Sequence, residues 1–342
     1  MIRKKLSPKG LILHDTEQFV TLRLSKAETI SLFPKVGLPE DVISPEVVHL
    51  EVSSRCNLNC NGCYVRKDGI ELTTAEWKGI IDSLTEECAS VFQVTFGGGE
   101  PLMRDDIFEL ASYASSRGVN RTMTTNGILL PRIAGVRLRL FDMISISFHE
   151  DPDFEPMETL ANGLAWLAEV GIKRGINFIV KTSNLQYLSE IVDLSIKYDA
   201  ELLLLSYKTC LEPLEVVEPE KLKQIALNLS KETRMGIEGA LTRPKIAVDG
   251  ATQGECLCNF RFADIDSKGN LFPCSFIREP MGNLLETPFA EIWKNRERKR
   301  TCPYFPLNNW KCWSQLPTTK VGGLMSDKEV ASLRKQNENL RD

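Results

Sequence analysis

The stretch Ser54-Arg55-Cys56-Asn57-Leu58-Asn59-Cys60-Asn61-Gly62-Cys63-Tyr64 sets three cysteines at C-x3-C-x2-C spacing. It follows a run, Val47, Val48, Leu50 and Val52, that reads as a buried strand, so the cysteines sit in the loop after it. Three thiolates are one short of a closed metal site. Structural zinc takes four protein ligands, and a fully protein-ligated four-iron cluster takes four cysteines. The missing ligand leaves one metal position for something else to bind. A zinc knuckle needs a fourth Cys or His, for which His49 on the strand is the near candidate. The plainest alternative is three cysteines packed as small apolar residues.

Working outward, the 342-residue chain is long enough to bury a large core. Its 42 Lys and Arg against 46 Asp and Glu leave a net charge of −4, which gives no basic excess for a nucleic-acid partner. Met1-Ile2-Arg3-Lys4-Lys5-Leu6-Ser7-Pro8-Lys9 is basic but has no apolar segment behind it, so no export signal is expected. No apolar run reaches membrane-spanning length. A soluble, cytoplasmic chain is the expectation. In a reducing compartment, ten cysteines are better explained by metal than by disulfides.

Leu11–His14 and Phe19–Leu24, joined by Asp15-Thr16-Glu17-Gln18, predict a β-hairpin, with a short helix from Ser25 to Leu32 ended by Pro34. From Glu46 to Tyr207 strand and helix alternate six times. The predicted strands are Glu46–Val52, Val91–Phe96, Asn120–Thr124, Met143–Ser147, Ile176–Val180 and Leu202–Ser206. Trp77, Ile80, Ile81 and Leu84 mark one amphipathic helix, with Thr73 and Glu76 as its capping box. Such repetition implies a parallel sheet, open or curled into a barrel. Leu222, Ile225, Ala226 and Leu229 mark one more helix; short strands such as Lys245–Val248 and Phe262–Ile265 and a helix over Pro288–Arg300 follow. The expected division is an N-terminal hairpin extension over 1–45, a barrel over 46–235, a cysteine-bearing domain over 236–320 and a polar tail over 321–342.

In parallel α/β folds ligands bind at the carboxyl ends of the strands. The second strand ends in Thr95-Phe96-Gly97-Gly98-Gly99-Glu100-Pro101-Leu102, the third in Thr124-Thr125-Asn126-Gly127, and the fourth in Ser145-Ile146-Ser147-Phe148-His149-Glu150. Glycines let backbone approach a ligand closely. The cysteine trio and the glycine–glutamate turn on successive strands resemble the signature of the radical S-adenosylmethionine (SAM) enzymes. The resemblance implies a partial (β/α)6 barrel, with Cys56, Cys60 and Cys63 holding a [4Fe-4S] cluster whose open iron binds SAM. It further implies that Gly98, Gly99 and Glu100 hold the SAM amino group, and that Thr125 and Ser147 lie near SAM. Asn177 matches a recurrent asparagine. Many relatives carry an acidic residue where this chain has His149, which makes His149 the candidate substrate contact or proton carrier; an exposed loop histidine is the alternative. Relatives often place an aromatic residue where Gly62 stands, so the adenine contact is left open.

A second group comprises Cys256, Cys258, Cys274, Cys302 and Cys312. Cys258, Gly269 and Cys274 fall at C-x10-G-x4-C around the turn Asp266-Ser267-Lys268-Gly269-Asn270, which brings the flanking thiols together. This resembles the twitch domain, the short form of the SPASM extension. It implies one auxiliary [4Fe-4S] cluster on Cys258, Cys274, Cys302 and Cys312, with Cys256 spare or exchanging with Cys258; four-cysteine zinc is the alternative. Cys88 reads as structural, and Cys210 lies near the barrel mouth. Lys294, Arg296, Arg298, Lys299 and Arg300 form a basic run that is either a solvated face or a dock for an acidic electron donor.

The resemblance implies an enzyme that reductively cleaves SAM to a 5′-deoxyadenosyl radical, which takes a hydrogen atom from substrate. With an auxiliary cluster, the leading expectation is oxidation or cross-linking of a peptide or small biosynthetic intermediate. The partners implied are a low-potential donor of ferredoxin or flavodoxin type and that substrate. A non-catalytic iron–sulfur scaffold or electron carrier is the competing class, but it leaves Gly98, Gly99, Glu100 and Ser147 without a role.

Overall fold

A computed structural model of the chain describes residues 2–60, 63–65, 67–86, 91–148, 156–206, 235–237, 261–275 and 277–296, with Val217, Ile225 and Asn228. Three strands, β1 (Ile2–Ser7), β2 (Gly10–Asp15) and β3 (Val20–Arg23), form an antiparallel sheet in the order β1-β2-β3. The helix α1 (Lys26–Leu32) follows, capped by Ser25 and Glu28, which bond reciprocally to each other's backbone N–H.

The main sheet is built from β4 (Val47–Ser53), β5 (Gln93–Gly98), β6 (Asn120–Thr125), β7 (Met143–Phe148), β8 (Lys173–Val180) and β9 (Glu201–Ser206), each parallel to the next. These are the six predicted strands: β6, β7, β8 and β9 are longer by one to three residues, while β4 and β5 are shifted toward their carboxyl ends by one and two residues. A seventh parallel strand, β10 (Met235–Ile237), pairs with β9. At the other edge β11 (Phe262–Ile265) pairs parallel with β4 and continues into β12 (Asn270–Phe272) and β13 (Gly282–Asn283). The ten-stranded order is β10-β9-β8-β7-β6-β5-β4-β11-β12-β13.

The connecting helices α2 (Thr74–Thr85), α3 (Ile107–Ser116), α4 (Gly135–Leu138), α5 (Pro156–Val170) and α6 (Leu188–Lys197) cover one face of this sheet. Alternation along each strand decides which side chains meet them. Val48, Leu50, Val52, Val94, Phe96, Ile144, Ile146, Ile176 and Phe178 pack with Trp77, Ile80, Leu84, Leu110, Leu164 and Leu167 in one core. The alternate residues, His49, Glu51, Thr95, Gly97, Thr122, Ser145, Ser147 and Asn177, therefore face the inner side of the partial barrel. That side is polar.

The N-terminal sheet sits at the amino ends of these strands, opposite the cysteine loop. Arg3 donates to the carbonyls of Val91 and Gly118, Lys5 to those of Ser44 and Pro45, and His14 Nε2 lies 2.6 Å from Asn120 Oδ1. Glu46 ties three segments, pairing with Arg23 and, at 2.8 Å, with Arg261. The closing helix Phe289–Asn295 packs onto the barrel: Phe289 N–H donates to Ser83 Oγ, and Trp293 Nε1 to the Val42 carbonyl. No helix among the described residues is long and apolar enough to cross a membrane.

Candidate metal and cofactor site

β4 ends at Ser53 and releases the cysteine loop, whose first residues are gathered by one carboxylate. Glu71 Oε1 accepts from Ser53 Oγ at 2.6 Å, Ser54 N at 3.0 Å and Arg55 N at 3.3 Å, while Oε2 takes the Arg55 guanidinium at 3.1 Å. Burial works against the Glu71 charge, but the donors from Arg55 and Ser53 outweigh it and hold the carboxyl below its ordinary value. On the far side of the loop, Lys67 Nζ donates to the Leu58 carbonyl at 2.5 Å and to Asn59 Oδ1 at 3.2 Å. Cys56 and Cys60 are half-buried and Cys63 is exposed. Leu58 N–H points at Cys56 Sγ at 3.4 Å, and burial pushes that thiol up. Neither Glu71 nor Lys67 was signalled by spacing, because each acts across the loop rather than in a motif.

The glycine turn is pressed against this loop. Gly99 N–H donates to the Ser53 carbonyl at 2.7 Å and Glu100 N–H to the Arg55 carbonyl at 2.8 Å. Gly98 has φ +107°, and a Cβ on Gly99 would lie 2.0 Å from Arg55 O and 3.2 Å from Cys56 Cβ. Glycine is required where the two backbones meet. Glu100 is fully buried; Oε1 accepts from Thr125 Oγ1 at 2.8 Å and Leu102 N at 3.0 Å, and Oε2 from Asn126 N at 2.8 Å. Burial raises its pKa against the pull of these three donors. Its carboxylate is thus engaged within the protein, joining the second-strand turn to the third. Asn126 completes the link, its Nδ2 donating to Asn57 Oδ1 at 2.7 Å. Arg104, also absent from the sequence reading, braces the turn from below by donating to the carbonyls of Val52 and Leu72, both at 2.9 Å.

Ser147 and Asn177 are paired in register on β7 and β8, facing inward, and Asn177 Nδ2 reaches Thr124 Oγ1 at 3.5 Å. The structure thus gathers Cys56, Gly99, Glu100 and Thr125 in one contact chain, with Ser147 and Asn177 farther along the same strand ends. Cys274 is buried beyond β12, its Sγ accepting from Ile277 N at 3.4 Å. Gly62, Cys88, His149, Cys210, Cys256, Cys258, Cys302 and Cys312 and the strand Lys245–Val248 lie outside the described residues; of the helix expected around Leu222, Ile225 and Asn228 are described, both helical. Of the basic run, Arg296 is turned inward, its guanidinium 4.1 Å from the Trp293 ring and paired with Asp41 at 3.1 Å. That residue is spent on packing rather than offered to a donor.

One further set was not foreseen. His49 Nδ1 lies 3.1 Å from Asp264 Oδ1, and Arg278 grips both oxygens of Glu51 at 2.7 and 3.0 Å. His49 is thereby engaged by Asp264 on the adjacent strand. The ligand-type atoms of His49, Glu51 and Asp264 lie within 4.8 Å of one another, but the guanidinium already supplies the compensating positive charge.

Three cysteines on a loop pinned beside a side-chain-free backbone, with the Leu58 N–H turned toward Cys56 Sγ, fit a cluster with one open iron. Residues 50–194 match the model of the radical SAM superfamily, and residues 256–314 that of an iron–sulfur cluster-binding domain of SPASM type. The chain thus carries a radical SAM domain, followed by a SPASM-type iron–sulfur domain. The second match spans all five cysteines of the C-terminal group. The radical SAM domain implies a [4Fe-4S] cluster and SAM, and the SPASM-type domain auxiliary iron–sulfur binding. The chain is 26% identical over 289 residues to an AdoMet-dependent heme synthase of Oleidesulfovibrio alaskensis, covering 72% of this chain and 74% of the relative. It is 28% identical over 287 residues to the PqqA peptide cyclase of Bradyrhizobium diazoefficiens, covering 74% of each. Among solved structures, Streptococcus suis SuiB, solved with S-adenosylmethionine and also with the precursor peptide SuiA, superposes over 85% of this chain and 86% of that one, with TM-score 0.66 at 16% identity.

Proposed function

We propose that this radical SAM chain oxidises or cross-links a peptide substrate, with Cys56, Cys60 and Cys63 holding the SAM-binding cluster. The observation that carries the reading is the contact chain from the Cys56 loop through Gly99 and Glu100 to Thr125 and Asn126. When bound, the cluster and SAM supply the 5′-deoxyadenosyl radical that abstracts hydrogen from substrate. The chain's own work is to place and shield. The backbone carbonyls of the Gly98–Glu100 turn would accept from the SAM ammonium, while the Gly99 and Glu100 N–H groups hold the turn to the cysteine loop. Glu100 and Thr125 position that turn, and Ser147 and Asn177 offer polar groups along the strand ends. Cys258, Cys274, Cys302 and Cys312 hold the auxiliary [4Fe-4S] cluster, and His149 stands as the substrate-side proton carrier. The domain limits near residues 45, 235 and 320 belong to the same proposal, as do the ferredoxin- or flavodoxin-type donor and the cytoplasmic setting.

The peptide class is favoured over a tetrapyrrole by the inner wall. Its described basic groups, His49 and Arg278, are already paired with Asp264 and Glu51. Thr95, Thr122, Thr124, Ser145 and Asn177 offer neutral donors and acceptors that suit amides better than propionate carboxylates. The PqqA peptide cyclase and SuiB, by their names, act on or bind peptides.

The test is 5′-deoxyadenosine formation from SAM by anaerobically reconstituted, dithionite-reduced protein. Product that disappears in Cys56→Ala is expected. Intact clusters without product would replace the enzyme by an iron–sulfur scaffold.

A further inference from the structure

Arg278 lies between the two cysteine-bearing segments. Besides its two bonds to Glu51, Nη1 comes within 3.5 Å of the Ser275 carbonyl and 3.7 Å of Asp264 Oδ2. Ser275 follows Cys274. The guanidinium sits 4.3 Å from the centroid of the Phe272 ring and 5.8 Å from that of Tyr64, the residue after Cys63. One side chain therefore touches the sequence neighbour of a cysteine in each proposed metal site. Around it the two segments are stitched at further points. β11 runs parallel to β4, Leu72 N–H donates to the Ser267 carbonyl at 3.0 Å, and Lys268 pairs with Asp68.

A buried ion pair of this kind gives little net stability over a well-packed apolar pair, because desolvation offsets the attraction. What it gives is registry, and arginine gives it best, since its planar fork fixes both carboxylate oxygens while its face lies on aromatic rings. The pair Glu51–Arg278 fixes strand β4, which delivers Cys56, Cys60 and Cys63, against the hairpin that delivers Cys274. The geometry assigns Arg278 the role of a positioning residue that sets the auxiliary iron–sulfur hairpin against the SAM-cluster loop, so that the two clusters form one coupled pair. This rests on the two iron–sulfur sites and not on the identity of the substrate.

The test is electron paramagnetic resonance of the full, reconstituted and dithionite-reduced chain, with iron counted per chain. Two reduced clusters held at fixed separation speed each other's spin relaxation, so the wild-type signal of the first cluster should need more microwave power to saturate than that of Cys274→Ala. Arg278→Gln, with its full iron content, should move to the Cys274→Ala behaviour. Arg278→Lys keeps the charge but gives up the second hydrogen bond and the ring contacts, and should move the same way; it decides the matter if the Gln variant does not hold its iron. Wild-type saturation in an iron-replete Arg278→Gln or Arg278→Lys chain overturns the proposal and leaves the two-cluster reading intact. Wild-type protein indistinguishable from Cys274→Ala overturns both.

Discussion

At Gly97, Gly98 and Gly99 the missing side chains leave room for three different neighbours. A Cβ on Gly97 would meet His49 Nε2 at 2.2 Å, one on Gly98 the Ser53 carbonyl at 2.5 Å, and one on Gly99 the Arg55 carbonyl at 2.0 Å. A side chain can give way, whereas a backbone carbonyl inside the cysteine loop cannot. Gly99→Ala should therefore cost about 1–3 kcal/mol or more and empty the first iron site while the second keeps its iron, read by iron content and thermal melting. Gly97→Ala should cost less, and His49→Ala should relieve it, giving a double-variant cycle that departs from additivity by more than ~0.5 kcal/mol. The glycine run was legible as a close backbone approach. What it approaches was not, because Ser53, Arg55 and His49 are neighbours only once β4 and β5 are paired.

The six strands and their helices were readable as elements because their outer faces carry the apolar period and because Thr73 and Glu76 form a cap visible in four residues. β1 was missed, and its burial pattern shows why. The inward positions Lys5 and Ser7 are 3% and 4% exposed, whereas Lys4 points outward, so polarity does not mark the inner side. Lys5 is buried because two carbonyls accept from it and because it lies over the Phe92 ring. Lys5→Ala leaves those carbonyls without their donor and should destabilise the fold by about 1–3 kcal/mol, while 5′-deoxyadenosine formation at saturating SAM stays at the wild-type rate. Denaturant melting beside the SAM-cleavage assay checks both halves. The strand β11 was read correctly as a strand, but its partner lies some two hundred residues earlier, and no local pattern announces a parallel pairing at that separation.

Across the whole molecule, the barrel and the C-terminal hairpin share a charged seam. Burial lowers the pKa of His49, but Asp264 and Glu51 outweigh it and the group ends above its ordinary 6.5, while Asp264 is held below its ordinary value by His49. A raised histidine pKa contributes stability that is present in full below pH 6.5 and fades as pH rises through the folded value. The stability gap between wild type and His49→Gln should therefore shrink as pH is raised from about 6 toward 9, measured by denaturant unfolding of metal-free chains. A gap that widens over that range would reverse the assignment. Sequence alone placed the cysteine trio and the C-terminal cysteines in separate segments; the seam between them is a property of the assembled sheet.

The pairing of β11 with β4 also bears on how the chain is made. Until residues 262–265 have left the ribosome, β4 is an open parallel edge whose unpaired backbone groups invite the edge of another chain. The strand that leads into the cysteine loop is thus the last of the barrel strands to be sealed, so the nascent chain is most prone to misassociate during the long interval in which that loop is already exposed.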